Sequence, residues 1–308
     1  MSLPASSAGP SAARSVAIGV AMAAGGAILF ASKGLFAKVL YSEGVDFQTL
    51  TTLRALISLP LFALLALGRG PIIRGRPPRA VALAALAGVL CYGIGALVDF
   101  WALMLIDVST ERALLFSYPA LVVAWTAFQK RRWPKPAVTV AIVLTYVGIL
   151  AVVGGFDGEA WRQNLTGSLM VLFCAGTTAS YWVLGERCLP DLGSRAFTII
   201  AMGAAAVAVV LNFLITHPLG VVATLSGRAW FLLLCLAILC MFVPTLMQAE
   251  GMRRIGAVRG ALSATVGPPA AMGLGAVLLG ERPGALQIVG TAMIVAGVLV
   301  IAWPERRT

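Results

Sequence analysis

The chain has 308 residues, of which 60% are hydrophobic and 11% charged, and its mean hydropathy is +0.95. A soluble domain carries about a quarter charged residues, so composition excludes a water-soluble fold and places the chain in a membrane. The net charge of +11 falls almost wholly in short connections between apolar runs, where it reads as a topology signal rather than as a nucleic-acid surface.

Residues 1–14, rich in Ser, Ala and Pro, are expected to form a disordered tail. Ten apolar runs follow, at 15–40, 46–68, 80–106, 108–128, 137–153, 165–185, 194–215, 229–252, 257–279 and 285–303. Each suits a helix crossing a hydrocarbon core of about 30 Å. The stretch 154–164 is the longest expected irregular segment between them. Lys and Arg gather in the N-terminal tail, the even-numbered connections and the C-terminal tail, sixteen against four in the odd-numbered connections, which predicts that both termini are cytoplasmic.

The chain repeats itself. A shift of 149 residues lays Pro119 on Pro268, Pro134 on Pro283, Gly148 on Gly297 and Asp99 on Gln248, and a shift of 148 lays Gly19 on Gly167, Met22 on Met170 and Ser32 on Ser180. The expected units are a first five-helix repeat at 15–153 and a second at 165–303. Because five is odd, the second unit enters the membrane from the opposite side, so the repeats are expected to be inverted, the arrangement suited to a site exposed to each side in turn.

In the third run Gly88, Tyr92, Gly95 and Asp99 fall at helical spacing on one stripe. The stripe serves close helix packing, a cavity, or both. Met241, Pro244, Thr245 and Gln248 form its counterpart in the eighth run, where Pro244 weakens the hydrogen-bond ladder and offers a carbonyl or a hinge. Pro119 and Pro268 interrupt the fourth and ninth runs at matching positions, as hinges or as static kinks. Ser117, Tyr118 and Thr265 precede those breaks, and their hydroxyls either meet a polar substrate or bond back to their own helices. Asp99 is expected to pair with Lys33 or Arg54, leaving the other cation for a substrate carboxylate. A static bridge fastening three helices is the alternative.

Catalysis is not expected. The sole histidine, His217, lies in a connection beside Pro218, and HExxH, GxGD, DDxxD and P-loop patterns are missing. The five cysteines, Cys91, Cys174, Cys188, Cys235 and Cys240, show no metal-ligand spacing, so neither metal nor cofactor is expected. The expected partners are a small-molecule substrate and the lipid bilayer, with no nucleic acid and a monomeric state.

The glycine- and alanine-rich fourth and ninth runs with central prolines, followed by Leu279-Gly280-Glu281-Arg282-Pro283, Ile288-Val289-Gly290 and Gly297, resemble the EamA-type drug/metabolite transporter superfamily over essentially the whole chain. The resemblance implies an all-α basket of ten helices, with the first four of each half around a central cavity and the fifth and tenth peripheral. Within the superfamily the chain is most similar to bacterial inner-membrane exporters of amino acids, the aromatic type included. An exporter or exchanger of another metabolite or drug, nucleotide-sugar-like or amphipathic, is the alternative. The first half departs from the usual Gly-Glu-Arg-Pro, with Arg131-Arg132-Trp133-Pro134 in its place, so Glu281 has no acidic repeat-mate. The first run offers Lys33 and Lys38 where cation exporters carry a glutamate, which argues against a cationic substrate.

Overall fold

The computed structural model describes residues 10–67, 72–129, 136–153 and 158–302. Among them the chain is helical with no strand. The motif Arg131-Arg132-Trp133-Pro134, residues 1–9 of the expected tail and residues 154–157 of the expected loop lie outside the described residues.

Helices α1 (Pro10–Ala31) and α2 (Lys33–Ser42) make one nearly continuous rod, loosened at Ser32, whose hydroxyl donates back to the Leu29 carbonyl at 2.8 Å. α1 thus starts inside the segment expected to be a tail. α3 (Phe47–Leu64) is opened by Asp46, whose carboxylate accepts from the amides of Gln48 and Thr49 at 2.8 and 3.0 Å, satisfying two of the free donors at a helix start. α4 (Pro78–Gly88) and α5 (Ala96–Leu105) are joined by a π-helical turn, Val89–Gly95. α6 (Val108–Leu115), α7 (Tyr118–Gln129) and α8 (Pro136–Val153) complete the first half.

The second half opens with α9 (Gly158–Thr216), so most of the expected irregular stretch is helix. Its apolar portion, Asn164–Thr216, has 53 residues, about 80 Å at 1.5 Å per residue and far more than one bilayer crossing. The helix turns at Gly193, which takes φ 70°, a conformation open to glycine and unfavourable to residues with a Cβ. α10 (Gly227–Ala237) runs through a second π turn, Ile238–Phe242, into α11 (Val243–Ser263), which turns at Gly256 with φ 79°. After a 3₁₀ turn at Ala264–Val266 come α12 (Gly267–Leu274), a π turn at Gly275–Leu279 and α13 (Ala285–Ala302). Five helical stretches are long and apolar enough to cross a membrane, and Val143–Val152 and Ala285–Gly297 are shorter apolar helices.

The interruptions respect the repeat. The π turns beginning at Val89 and Ile238 are 149 residues apart, and the break at Ser117 matches the 3₁₀ turn ending at Val266. Pro119, Pro244 and Pro268 are each the second residue of a helix, α7, α11 and α12, directly after an open turn, a π turn and a 3₁₀ turn. The chain yields just before each of them, in a 3₁₀ turn, a π turn or an open turn.

α1 packs along α11, α4 along α9, and α8 along α13. The two halves are therefore interleaved rather than side by side.

Candidate substrate cavity

A cavity of about 80 Å³ lies among α1, α2, α3, the α4–α5 rod, α6, α7, the first part of α9 and α11. One wall is charged, carrying Lys33, Arg54, Asp99 and Arg112. Another is aromatic, with Phe30, Tyr92, Phe116, Tyr118 and Trp182. Tyr118 stacks on Trp182 with ring centroids 6.1 Å apart and planes 15° from parallel, and Phe30 lies 6.2 Å from Tyr92.

The charged wall is an alternating ladder. Lys33 Nζ bonds Asp99 Oδ2 and stands 3.5 Å from Glu111 Oε1, and Glu111 Oε2 stands 3.4 Å from Arg112 Nη2. Asp99 is thus paired with Lys33, and Arg54 is the cation left over. Arg54 is 2% exposed, its guanidinium lies 4.7 Å above the Phe100 ring, and its Nε and Nη2 have no hydrogen-bond partner. Asp99 Oδ1 is likewise buried without a partner. A membrane interior penalises such orphans heavily unless a ligand or water meets them.

The stripe predicted in the third run divides. Tyr92, Gly95 and Asp99 line the cavity, while Gly88 presses against α9, where an added Cβ would lie 1.9 Å from the Ala201 carbonyl oxygen. A π turn accommodates one more residue than an α turn, so positions before and after Val89 no longer share the face that α spacing assigns. Gln248, the repeat-mate of Asp99, also lines the cavity.

Other candidates stand elsewhere. Thr245 donates to the Met241 carbonyl at 2.5 Å and Thr265 to the Leu262 carbonyl at 2.9 Å, so both hydroxyls bond back to their own helices. Met241 is buried and accepts at sulfur from the Ser58 hydroxyl at 3.3 Å. Ser117 faces a separate apolar pocket with Ala120, Tyr146 and Leu172, its hydroxyl unpartnered.

Sequence reasoning missed Glu111 and Arg112. They are 0% and 3% exposed on the first turns of α6. Charges at the edge of an apolar run look like loop residues. The available signal was that only Asp107 separates the third run from the fourth, too little chain to hold those charges outside the helices.

Because Lys33 serves two buried carboxylates, its loss strands both. Lys33→Gln should lower thermal stability sharply, in the range of about 3–5 kcal/mol found when one partner of a buried pair is removed. The double variant Lys33→Gln/Asp99→Asn should recover part of that loss. Scanning fluorimetry of the purified variants measures both, and a double variant no more stable than the single would show that the pair is not coupled.

A helical, multi-pass membrane chain with a buried charged and aromatic cavity between duplicated halves is the architecture of a transporter. The chain belongs to the EamA-like transporter family, whose model matches twice, at residues 17–154 and 165–303. It is 30% identical over 269 residues to the uncharacterized transporter YcbK of Bacillus subtilis (strain 168), covering 86% of both chains. A solved structure titled only as the crystal structure of a protein shares the fold with a TM-score of 0.64 at 21% identity, covering 94% of this chain and 96% of the other.

Proposed function

We propose that the protein is a secondary transporter that exports aromatic and other neutral amino acids across the bacterial inner membrane by alternating access. In this reading ten spans form two inverted five-helix repeats with both termini cytoplasmic, and the breaks ahead of Pro119, Pro244 and Pro268 are the flexing points.

The observation that carries the substrate class is that the guanidinium groups of Arg54 and Arg112 and Asp99 Oδ1 line one cavity with buried atoms lacking a hydrogen-bond partner, Arg54 standing farthest from any carboxylate pairing. A guanidinium fork receives a carboxylate through two parallel hydrogen bonds. The unpartnered carboxylate oxygen receives an ammonium. An α-amino acid carries both groups on one carbon, and the aromatic wall of Tyr92, Tyr118 and Trp182 receives an apolar or aromatic side chain. Binding then supplies the partners the empty ladder lacks.

Purified protein in proteoliposomes should exchange radiolabelled phenylalanine, with competition by tyrosine, tryptophan and leucine and none by phenethylamine, which lacks the carboxylate. If no amino acid crosses or competes while a nucleotide-sugar or a cationic drug does, the reading fails.

A further inference from the structure

The glycine-glutamate pair that directly follows the ninth apolar segment, Gly280-Glu281, has a use that the cavity does not explain. Glu281 reaches across to the start of α6, in the other half of the chain. Its Oε1 accepts from the Val108 amide at 2.9 Å, and its Oε2 accepts from the Ser109 amide at 3.2 Å and from the Ser109 hydroxyl. Beside it, Gln287 Nε2 donates to Thr110 Oγ1 at 2.7 Å. Gly280 turns the chain into position with φ 69°, and a Cβ at Gly275 would lie 2.5 Å from Glu281 Oε2, so the carboxylate is seated against bare backbone. A carboxylate on free helix N–H groups is a charge-assisted contact strengthened by the helix dipole.

Two further observations give the contact a direction. The residues it clamps lead straight into Glu111 and Arg112, the two rungs of the charged ladder on α6. The repeat-mate of Val108 is Ala257, 149 residues on, and its amide meets only a single glutamate oxygen, Glu186 Oε1, at 3.4 Å. Equivalent helix starts are therefore held unequally, firmly at Val108 and loosely at Ala257.

We infer that Glu281 is a positioning residue of the transport cycle: by clamping the start of α6 it seats Glu111 between Lys33 and Arg112 and holds that end of the cavity shut. Release of the clamp frees α6 to withdraw Glu111 from Lys33 and opens the cavity on the side that carries the Gly280–Gly284 loop.

The test uses full-length protein with its five cysteines replaced and a reporter cysteine at Ala113, which is 1% exposed on α6. In nanodiscs, Glu281→Gln should speed alkylation of the reporter by a membrane-impermeant maleimide about tenfold, as expected from losing one charge-assisted contact. In sealed proteoliposomes the gain should come from the side of the Gly280–Gly284 loop alone. Hydrogen exchange at the first α6 amides should rise in parallel. An unchanged rate in a folded variant overturns the inference, as does an equal gain from both sides, which a merely loosened structure would give. Should Glu281→Gln fail to fold, Ser109→Ala removes one of the three contacts and should give a smaller gain, about threefold, on the same side; no gain overturns the inference equally. Labelling needs no substrate, so this result stands apart from the amino-acid reading.

Discussion

On the proposed function, Arg54→Gln should abolish amino-acid transport while leaving the protein as stable as before, or slightly more so. Most buried charges in a membrane protein are paired, and deleting one strands its partner. Among the described residues no carboxylate lies within ion-pair distance of Arg54, and two of its nitrogens are orphaned. Its folded-state support is the stacking on Phe100, worth about 2 kcal/mol or less, against a larger desolvation cost that the neutral amide avoids. For the substrate the balance reverses. Removing one partner of a buried charged contact costs about 2–5 kcal/mol, a loss of roughly thirtyfold to several thousandfold in affinity for a carboxylate. Arg54→Lys keeps the charge without the planar fork and should retain a small part of the activity. The measurements are phenylalanine exchange and a melting curve on the same preparation. A variant that transports normally would move the carboxylate contact to Arg112, and one that melts much earlier would make Arg54 structural.

The second large effect is on the fold. Gly88→Ala should prevent a monodisperse folded protein from accumulating. The added carbon would lie 1.9 Å from the Ala201 oxygen and 2.5 Å from its carbonyl carbon, and neither is the end of a flexible side chain. α4 would have to withdraw from α9, which it packs against along much of its length. Overpacking of a core costs about 1–3 kcal/mol when side chains can adjust, and backbone against backbone should exceed that. Gly176→Ala, with nothing within 4 Å of the new carbon, is the matched control and should be silent. Size-exclusion profiles and melting temperatures decide the matter, and a well-behaved Gly88→Ala would mean that the two helices are not in contact as described.

What the sequence disclosed followed from which physical rules leave a local trace. Apolar runs and their repetition are written in composition, so the helical segments, the duplication and the family were all legible. Asp99, Lys33 and Arg54 were legible because a charge inside an apolar run is conspicuous, and the structure brings all three to one cavity. The choice of partner was not, since it depends on a rotation of α2 against α5 that no spacing encodes. The π turns were equally silent. They carry no residue signature, yet the one at Val89 divides a glycine stripe into a packing face and a cavity face. The sequence located the interruptions at Pro119 and Pro268, and in the structure these are the second residues of α7 and α12, with an open turn and a 3₁₀ turn directly before them. Glu281 drew notice as part of a family motif, but its contact with α6 joins residues more than 170 apart, a separation at which local pattern says nothing.

The packing of α8 on α13 bears on how the protein is made. At their crossing, a carbon on Gly148 would lie 2.7 Å from the Gly290 carbonyl oxygen, and one on Gly290 would lie 2.6 Å from the Gly148 oxygen. Each helix offers the other a bare backbone groove. α8 precedes α13 in the chain with α9 to α12 between them, so it is synthesised well before its partner. Until α13 has been made, α8 lacks the helix that packs on its glycine face. A chain cut before α13 would leave the groove at Gly148 of α8 without the backbone that fills it.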